Sequence, residues 1–252
     1  MSRGTGKGAR IRGVFVGLAT LVVVGVALEL TVGAAPVDVA EQLMCVLAGE
    51  GCDPGAQYIL TSLRLPRALV AIAVGAGLAV AGAALQGLFR NPLADPGLVG
   101  VSAGAALGAA LAIALEPRLP GVPAGFAQPA LAFAGGLAAT WLVHRLARVR
   151  GQTSVVGLLL SGIAVGALSS AAIGLMSYLA DDRQLRDLSL WLLGGLGGAS
   201  RDVALVLVPC VALAGALLWR RARALDALLL GEAEAFHLGV DVERLRRGVV
   251  TE

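Results

Sequence analysis

Few side chains in this 252-residue chain are suited to catalysis, and their spacing argues against it. The only two histidines, His144 and His237, lie far apart. Neither belongs to a His-Glu-x-x-His arrangement, so a catalytic zinc site lacks its ligands. Gly4-Thr5-Gly6-Lys7 faintly resembles a phosphate loop. Its spacing is wrong, Gly8 stands where a Ser or Thr is required, and no strand precedes it, so it reads as a flexible basic tail. Cys45 and Cys52 share a loop where oxidation can bridge them, and Cys210 sits inside an apolar run as a packing residue. No catalytic residue, metal ligand or cofactor is expected. Energy for any work must come from another polypeptide.

The elements around these residues are set by composition. AVILMFWYC residues make up 57% of the chain, with 35 further Gly, and charged residues only 15%. Soluble domains carry about 25% charged residues. Charge-free stretches run from Gly13 to Leu28, Ala68 to Phe89, Pro96 to Leu115, Leu119 to Val143, Gly151 to Ala180 and Val203 to Trp219. At about 1.5 Å per residue, roughly 20 residues cross a bilayer core of about 30 Å. Six spanning helices are therefore expected, the first extending past Glu29 to Val32 and the sixth short and interrupted by Pro209.

Basic residues are retained on the cytoplasmic side of short loops. Fourteen of the 20 fall in alternate segments: Arg3, Lys7, Arg10 and Arg12; Arg90; Arg145, Arg148 and Arg150; and the group from Arg220 to Arg247. The other six, Arg64, Arg67, Arg118, Arg183, Arg186 and Arg201, are mixed with acids such as Glu116, Asp181 and Asp187. Both ends are thus expected in the cytoplasm, in a multi-pass protein of the cell membrane. Trp141, Trp191 and Trp219 lie near span ends, at headgroup level. A cleavable leader ending at Val32-Gly33-Ala34-Ala35 is the alternative for the first span, but the apolar run is long for one.

Helices in lipid pack by close backbone approach at small residues. Three spans carry such a residue every fourth position: Ala71, Gly75, Ala79, Ala83 and Gly87; Gly100, Gly104, Gly108 and Ala112; Gly162, Gly166, Ser170 and Gly174. Most serve as packing faces. Ser161, Ser169 and Ser170 are the polar candidates for lining a pathway. No ionisable residue falls near the centre of a span, which weakens a proton-coupled carrier. Sodium coupling through broken helices stays open.

Between the second and third spans, Asn91 and Asp95 each precede a proline and can cap a restarted helix. After the sixth span, Leu230 to Arg247 reads as two short amphipathic helices, with Gly239 ending the first and Asp241 capping the second. The wording of both segments resembles the FecCD family, permease subunits of ABC importers for iron-siderophore complexes, haem and cobalamin. The residues that carry the resemblance are Arg64-Leu65-Pro66-Arg67, Gly77 to Gly82, Gln86, Asn91-Pro92 through Asp95-Pro96, and Gly100, Ser102 and Gly104, with the coupling segment from Leu230 to Arg247.

The resemblance implies an all-α membrane bundle of the cobalamin-permease-like ABC importer class. The chain stops at Glu252, where a seventh span would begin, so about six of ten helices are expected. It also implies roles. Arg64 and Arg67 would pair with acidic residues of an extracytoplasmic binding protein, with anchoring of a helix end as the simpler alternative. Thr153 and Ser154 would form a gate turn, with helix capping as the alternative. Gly231, Glu232, Glu234, His237, Leu238, Gly239 and Arg244 belong to the segment that would sit in a groove of an ATPase subunit. His237 and Gly194-Gly195 depart from the family's usual wording.

The expected organisation is a basic tail over 1–12, a transmembrane bundle over 13–219, a coupling segment over 220–248 and the start of a seventh span over 249–252. The expected function is a permease subunit of an ATP-driven importer, for iron(III)-siderophore complexes first and haem or cobalamin next. Its partners would be the ATPase, the binding protein, a second permease copy or paralogue and the lipid bilayer, with no nucleic acid. A secondary carrier or channel is the alternative, but it leaves the coupling segment without a task.

Overall fold

The structure, a computed structural model, describes residues 4–48, 52–115, 127–149 and 152–251. Arg3, Glu116, Arg118, Arg150 and the stretch from Leu119 to the start of the fourth helical span lie outside the described residues. Contacts divide the chain into two units, Met1–Ala76 with Leu196–Ala212, and Gly77–Gly195 with Leu213–Glu252.

The first unit opens with α1 (Gly4–Thr31), basic in its first turns at Lys7, Arg10 and Arg12 and apolar all round from Gly13 to Leu28, where large side chains are exposed, as in Phe15 at 69% and Leu21 at 67%. A helix without a polar face suits lipid rather than water. Next come α2 (Val39–Ala48) and α3 (Pro54–Tyr58), the latter capped by Asp53, whose carboxylate accepts from the Gly55 and Ala56 amides. Cys45 and Cys52 are joined by a disulfide, with Cα atoms 5.7 Å apart. A π-helical turn, Ile59–Arg64, links α3 to α4 (Leu65–Phe89), so that Pro54–Phe89 is one continuous apolar helix.

The second unit contains α5 (Val101–Leu115), α6 (Ala127–Leu146), a hairpin of two-residue strands β1 (Arg148–Val149) and β2 (Gln152–Thr153), α7 (Val155–Leu179) and α8 (Asp182–Leu193). The chain then passes through α9 (Arg201–Leu229) to α10 (Glu232–His237) and α11 (Val242–Thr251). Among the described residues, Arg10–Thr31, Pro54–Phe89, Val155–Leu179 and Arg201–Leu229 are long and apolar enough to cross a membrane. With the shorter α5 and with α6, six apolar helices answer the six charge-free stretches. Two boundaries differ from those stretches. The last helix continues ten residues past Trp219 to Leu229, because Arg220 to Leu229 has no breaker. The charged stretch around Arg183 folds as α8, closed by a capping box between Asp181 and Gln184. Leu188 of α8 is buried against Ala110 and Ile113 of α5.

Of the three small-residue stripes, the one on α5 makes the tightest approach. A Cβ on Gly108 would stand 2.7 Å from the Leu131 carbonyl carbon, and Gly104 meets Gly135 one turn along, so α5 and α6 run antiparallel with backbones touching. At Gly75 and Gly174 a Cβ would meet nothing within 4 Å. The principal core gathers Leu85 and Leu88 of α4, Val143 and Ala147 at the end of α6, Leu158 of α7, Leu225 and Leu228 of α9, Ala235 of α10, and Leu245 and Val249 of α11.

Candidate functional site

Three groups of residues stand out, and each is built by local rules. At the end of α4 the chain closes in a Schellman arrangement: Asn91 N–H donates to the Gln86 carbonyl at 3.1 Å and Arg90 N–H to Gly87 at 3.3 Å. Arg90 takes the left-handed conformation, φ 49°, that glycine usually supplies there. The Asn91 side-chain oxygen then accepts from Leu93 N–H at 2.9 Å, making a turn rather than capping a helix, while Asp95 Oδ1 accepts from Gly97 N–H at 2.7 Å and caps the 3-10 turn Pro96–Val99. Gly100 ends that turn at φ 81°, with Val143 3.3 Å from where its Cβ would be. Ser102 is exposed at the start of α5. Gln86, Arg90, Asn91 and Pro92 line one end of a cleft of about 730 Å³ whose other wall is α9 from Gly215 to Leu229, with Asp226 at the polar end.

Arg64 and Arg67 lie in the first unit. Arg64 is 5% exposed and donates through both terminal nitrogens to the carbonyls of Leu30 and Ala35, closing the C-terminal end of α1. The bare backbone of Gly33 leaves room for that guanidinium: a Cβ there would meet Arg64 Nη2 at 2.6 Å. A cation at helix-end carbonyls is favoured by the helix dipole. Arg67 remains partly exposed and pairs with Glu29 at 3.6 Å. Arg64 therefore makes the anchoring contact that the sequence left open as its alternative.

The third group spans the end of α6 to α11. Ser154 is the N-cap of α7: its Oγ accepts from Gly157 N–H at 3.2 Å and its own N–H donates to Ala147. Thr153 pairs with Arg148 across the β1–β2 hairpin, and its side chain lies outside the described residues. Further along α7, Ser161 is half-buried, Ser169 buried and Ser170 exposed. Gly231 enters α10 at φ 132°, and Gly239 leaves it at φ 81° in a second Schellman closure, with Val240 N–H donating to Ala235. Asp241 caps α11 through Arg244 N–H at 3.0 Å and pairs with the Arg244 side chain at 2.9 Å. Ala235 is wholly buried, whereas Phe236 and Leu238 stand 73% and 64% exposed. Glu234 and His237 are exposed beside them.

Two contributors were not singled out by sequence. Gly135 on α6 completes the α5 crossing, and its signal was a short small-xxx-small pair with Ala139. Arg246 bonds Glu232, which no spacing rule relates across 14 residues. Among the described residues no group of three His, Cys, Asp or Glu could hold a metal ion.

The sequence model of the FecCD transport family matches residues 21–251. The hemin transport system permease protein HmuU of Yersinia pestis is 44% identical over 189 residues, covering 75% of this chain and 56% of that protein. The cobalamin import system permease protein BtuC of Halobacterium salinarum is 44% identical over 197 residues, 78% of this chain and 52% of that protein. The chain thus spans about half the length of the curated relatives it matches. A solved metal-chelate type ABC transporter in an inward-facing conformation shares the fold with a TM-score of 0.75 and 32% identity, covering 95% of this chain and 72% of that one.

Proposed function

The chain belongs to the FecCD transport family, and from that premise we propose that it is the membrane permease subunit of an ATP-driven ABC importer of bulky metal chelates. The fold is that of an all-α ABC transporter permease. The observation that carries the function is the two-sidedness of α10 and α11. Their inner residues Ala235, Leu245 and Val249 share one core with Val143, Ala147 and Leu158, beside the Thr153-Ser154 turn, while Phe236, edge-on to the His237 ring, and Leu238 are largely exposed. Exposed large apolar side chains beside charges mark an interaction surface. The occupant is an ATPase subunit, and closure of two such motors would move the gate turn through that core. A ligand shifts the permease between states only by its differential affinity for them.

The chain itself supplies route and lever and no chemistry. It would act with a second permease copy or paralogue and with an extracytoplasmic binding protein that docks near Arg67. Its setting is the cell membrane, with the N-terminus cytoplasmic: the Arg-rich segments and the bridged Cys45–Cys52 loop, which suits an oxidising compartment, support that orientation. Relatives named for hemin and cobalamin favour those chelates, and the family wording adds ferric siderophores. The test is co-purification with the ATPase subunit: Phe236→Asp with Leu238→Asp should abolish it, as should deletion of Glu232 to Arg247. An ATPase that still binds after deletion sinks the coupling assignment. Uptake of labelled haem, cobalamin and a ferric siderophore then identifies the cargo.

A further inference from the structure

The two helices of the coupling segment are too short to hold a fixed relation by themselves. They have 6 and 10 residues and are joined through the left-handed Gly239. Isolated helices shorter than about 12–15 residues are marginal in water, and glycine leaves the joint permissive. Arg244–Asp241 and Arg247–Glu243 are ion pairs of close sequence spacing at the α11 end of the segment. The Arg246–Glu232 pair is different in kind. It crosses from α11 to the first residue of α10, and the Arg246 side chain is only 11% exposed, against 52% for Glu232. A guanidinium so far withdrawn from water is screened less than a surface charge, and its planar donor fork fixes direction as well as distance. Beneath the pair, Ala235 of α10 and Leu245 and Val249 of α11 enter the common core. Beyond it, α11 lies against α6 and β2, the elements that frame the Thr153-Ser154 turn.

We propose that Glu232 and Arg246 form a positioning brace that makes α10 and α11 one body, so that a push on Phe236 and Leu238 is delivered to the gate turn. Glu232 then acts from inside the permease and not as a contact of the motor. This rests on the ATPase-coupling reading above, and the test separates the two.

The variants are Glu232→Gln, Arg246→Gln and the reversal Glu232→Arg with Arg246→Glu, in the full chain. The first readout needs no motor: amide exchange over Ala235 to Gly239 in detergent should quicken about tenfold in each single variant and slow again in the reversal. The second uses the co-expressed ATPase subunit. It should co-purify with Glu232→Gln as with the unmodified chain, while ATP hydrolysed per chelate imported rises about fivefold. If Glu232→Gln fails to fold, Glu232→Asp, which keeps the charge and shortens the reach, should show the same two effects more weakly. Unchanged exchange in both single variants overturns the brace. Loss of ATPase binding in Glu232→Gln also overturns it, by making Glu232 a motor contact. Failure of the unmodified chain to bind any ATPase defeats the coupling reading and leaves the exchange measurement to decide the brace.

Discussion

A methyl group on Gly104 would stand 2.5 Å from the carbonyl oxygen of Gly135, so α5 and α6 are in backbone contact at this pair. Neither helix can withdraw alone. Gly108 meets Leu131 one turn further along, and Leu188 of α8 packs on the far end of α5.

Gly104→Val should therefore separate the two helices. Overpacking of this kind costs about 1–3 kcal/mol. The measurement is thermal unfolding in detergent, with Gly174→Ala as control, since a Cβ at Gly174 meets nothing within 4 Å. A Tm for Gly104→Val equal to that of the control would refute the close crossing.

Arg64 and Arg67 should respond differently although they sit one turn apart. Arg64→Ala strips part-buried carbonyls at Leu30 and Ala35 of their donor and should cost about 1–2 kcal/mol, with proteolysis appearing near Gly33. Arg67→Gln removes a partly exposed pair worth under about 1 kcal/mol, and stability should hardly move. If Arg67 receives the binding protein, its affinity at low salt should fall several-fold in Arg67→Gln. Unchanged affinity removes Arg67 from docking.

The Cys45–Cys52 bridge closes a short loop between α2 and α3. Replacing both by Ser should lower stability by about 2–3 kcal/mol on the loop-entropy account. In a Cys210→Ala background, an impermeant maleimide should label intact cells only after reduction. Labelling that needs permeabilised cells would place the loop inside and reverse the topology.

Much of this protein was readable from one-dimensional pattern. The six apolar helices follow from charge-free length, because a charge inside hydrocarbon is expensive wherever it sits. The turns at Asp95, Gly239 and Asp241 were equally legible, since capping depends on residues within four positions of each other. Asn91 was half-legible: its side chain does bond the following backbone, yet the preceding Arg90 completes the helix end, so the chain turns there and the helical turn begins only after Asp95. Helix α8 was missed because the stretch containing Asp182, Arg183 and Arg186 reads as an ordinary charged loop, and its apolar face acquires meaning only against Ala110 and Ile113.

What the amino-acid order decided by itself, then, is everything governed by solvent and by neighbours along the chain: the membrane as medium, the spans, the caps and the family wording. Tertiary structure alone decided which small-residue stripe would close on a partner, that Arg64 would bind the end of α1, and that Arg246 would reach Glu232. These contacts join segments brought together by packing, and their energies depend on burial and direction, quantities that no local spacing contains.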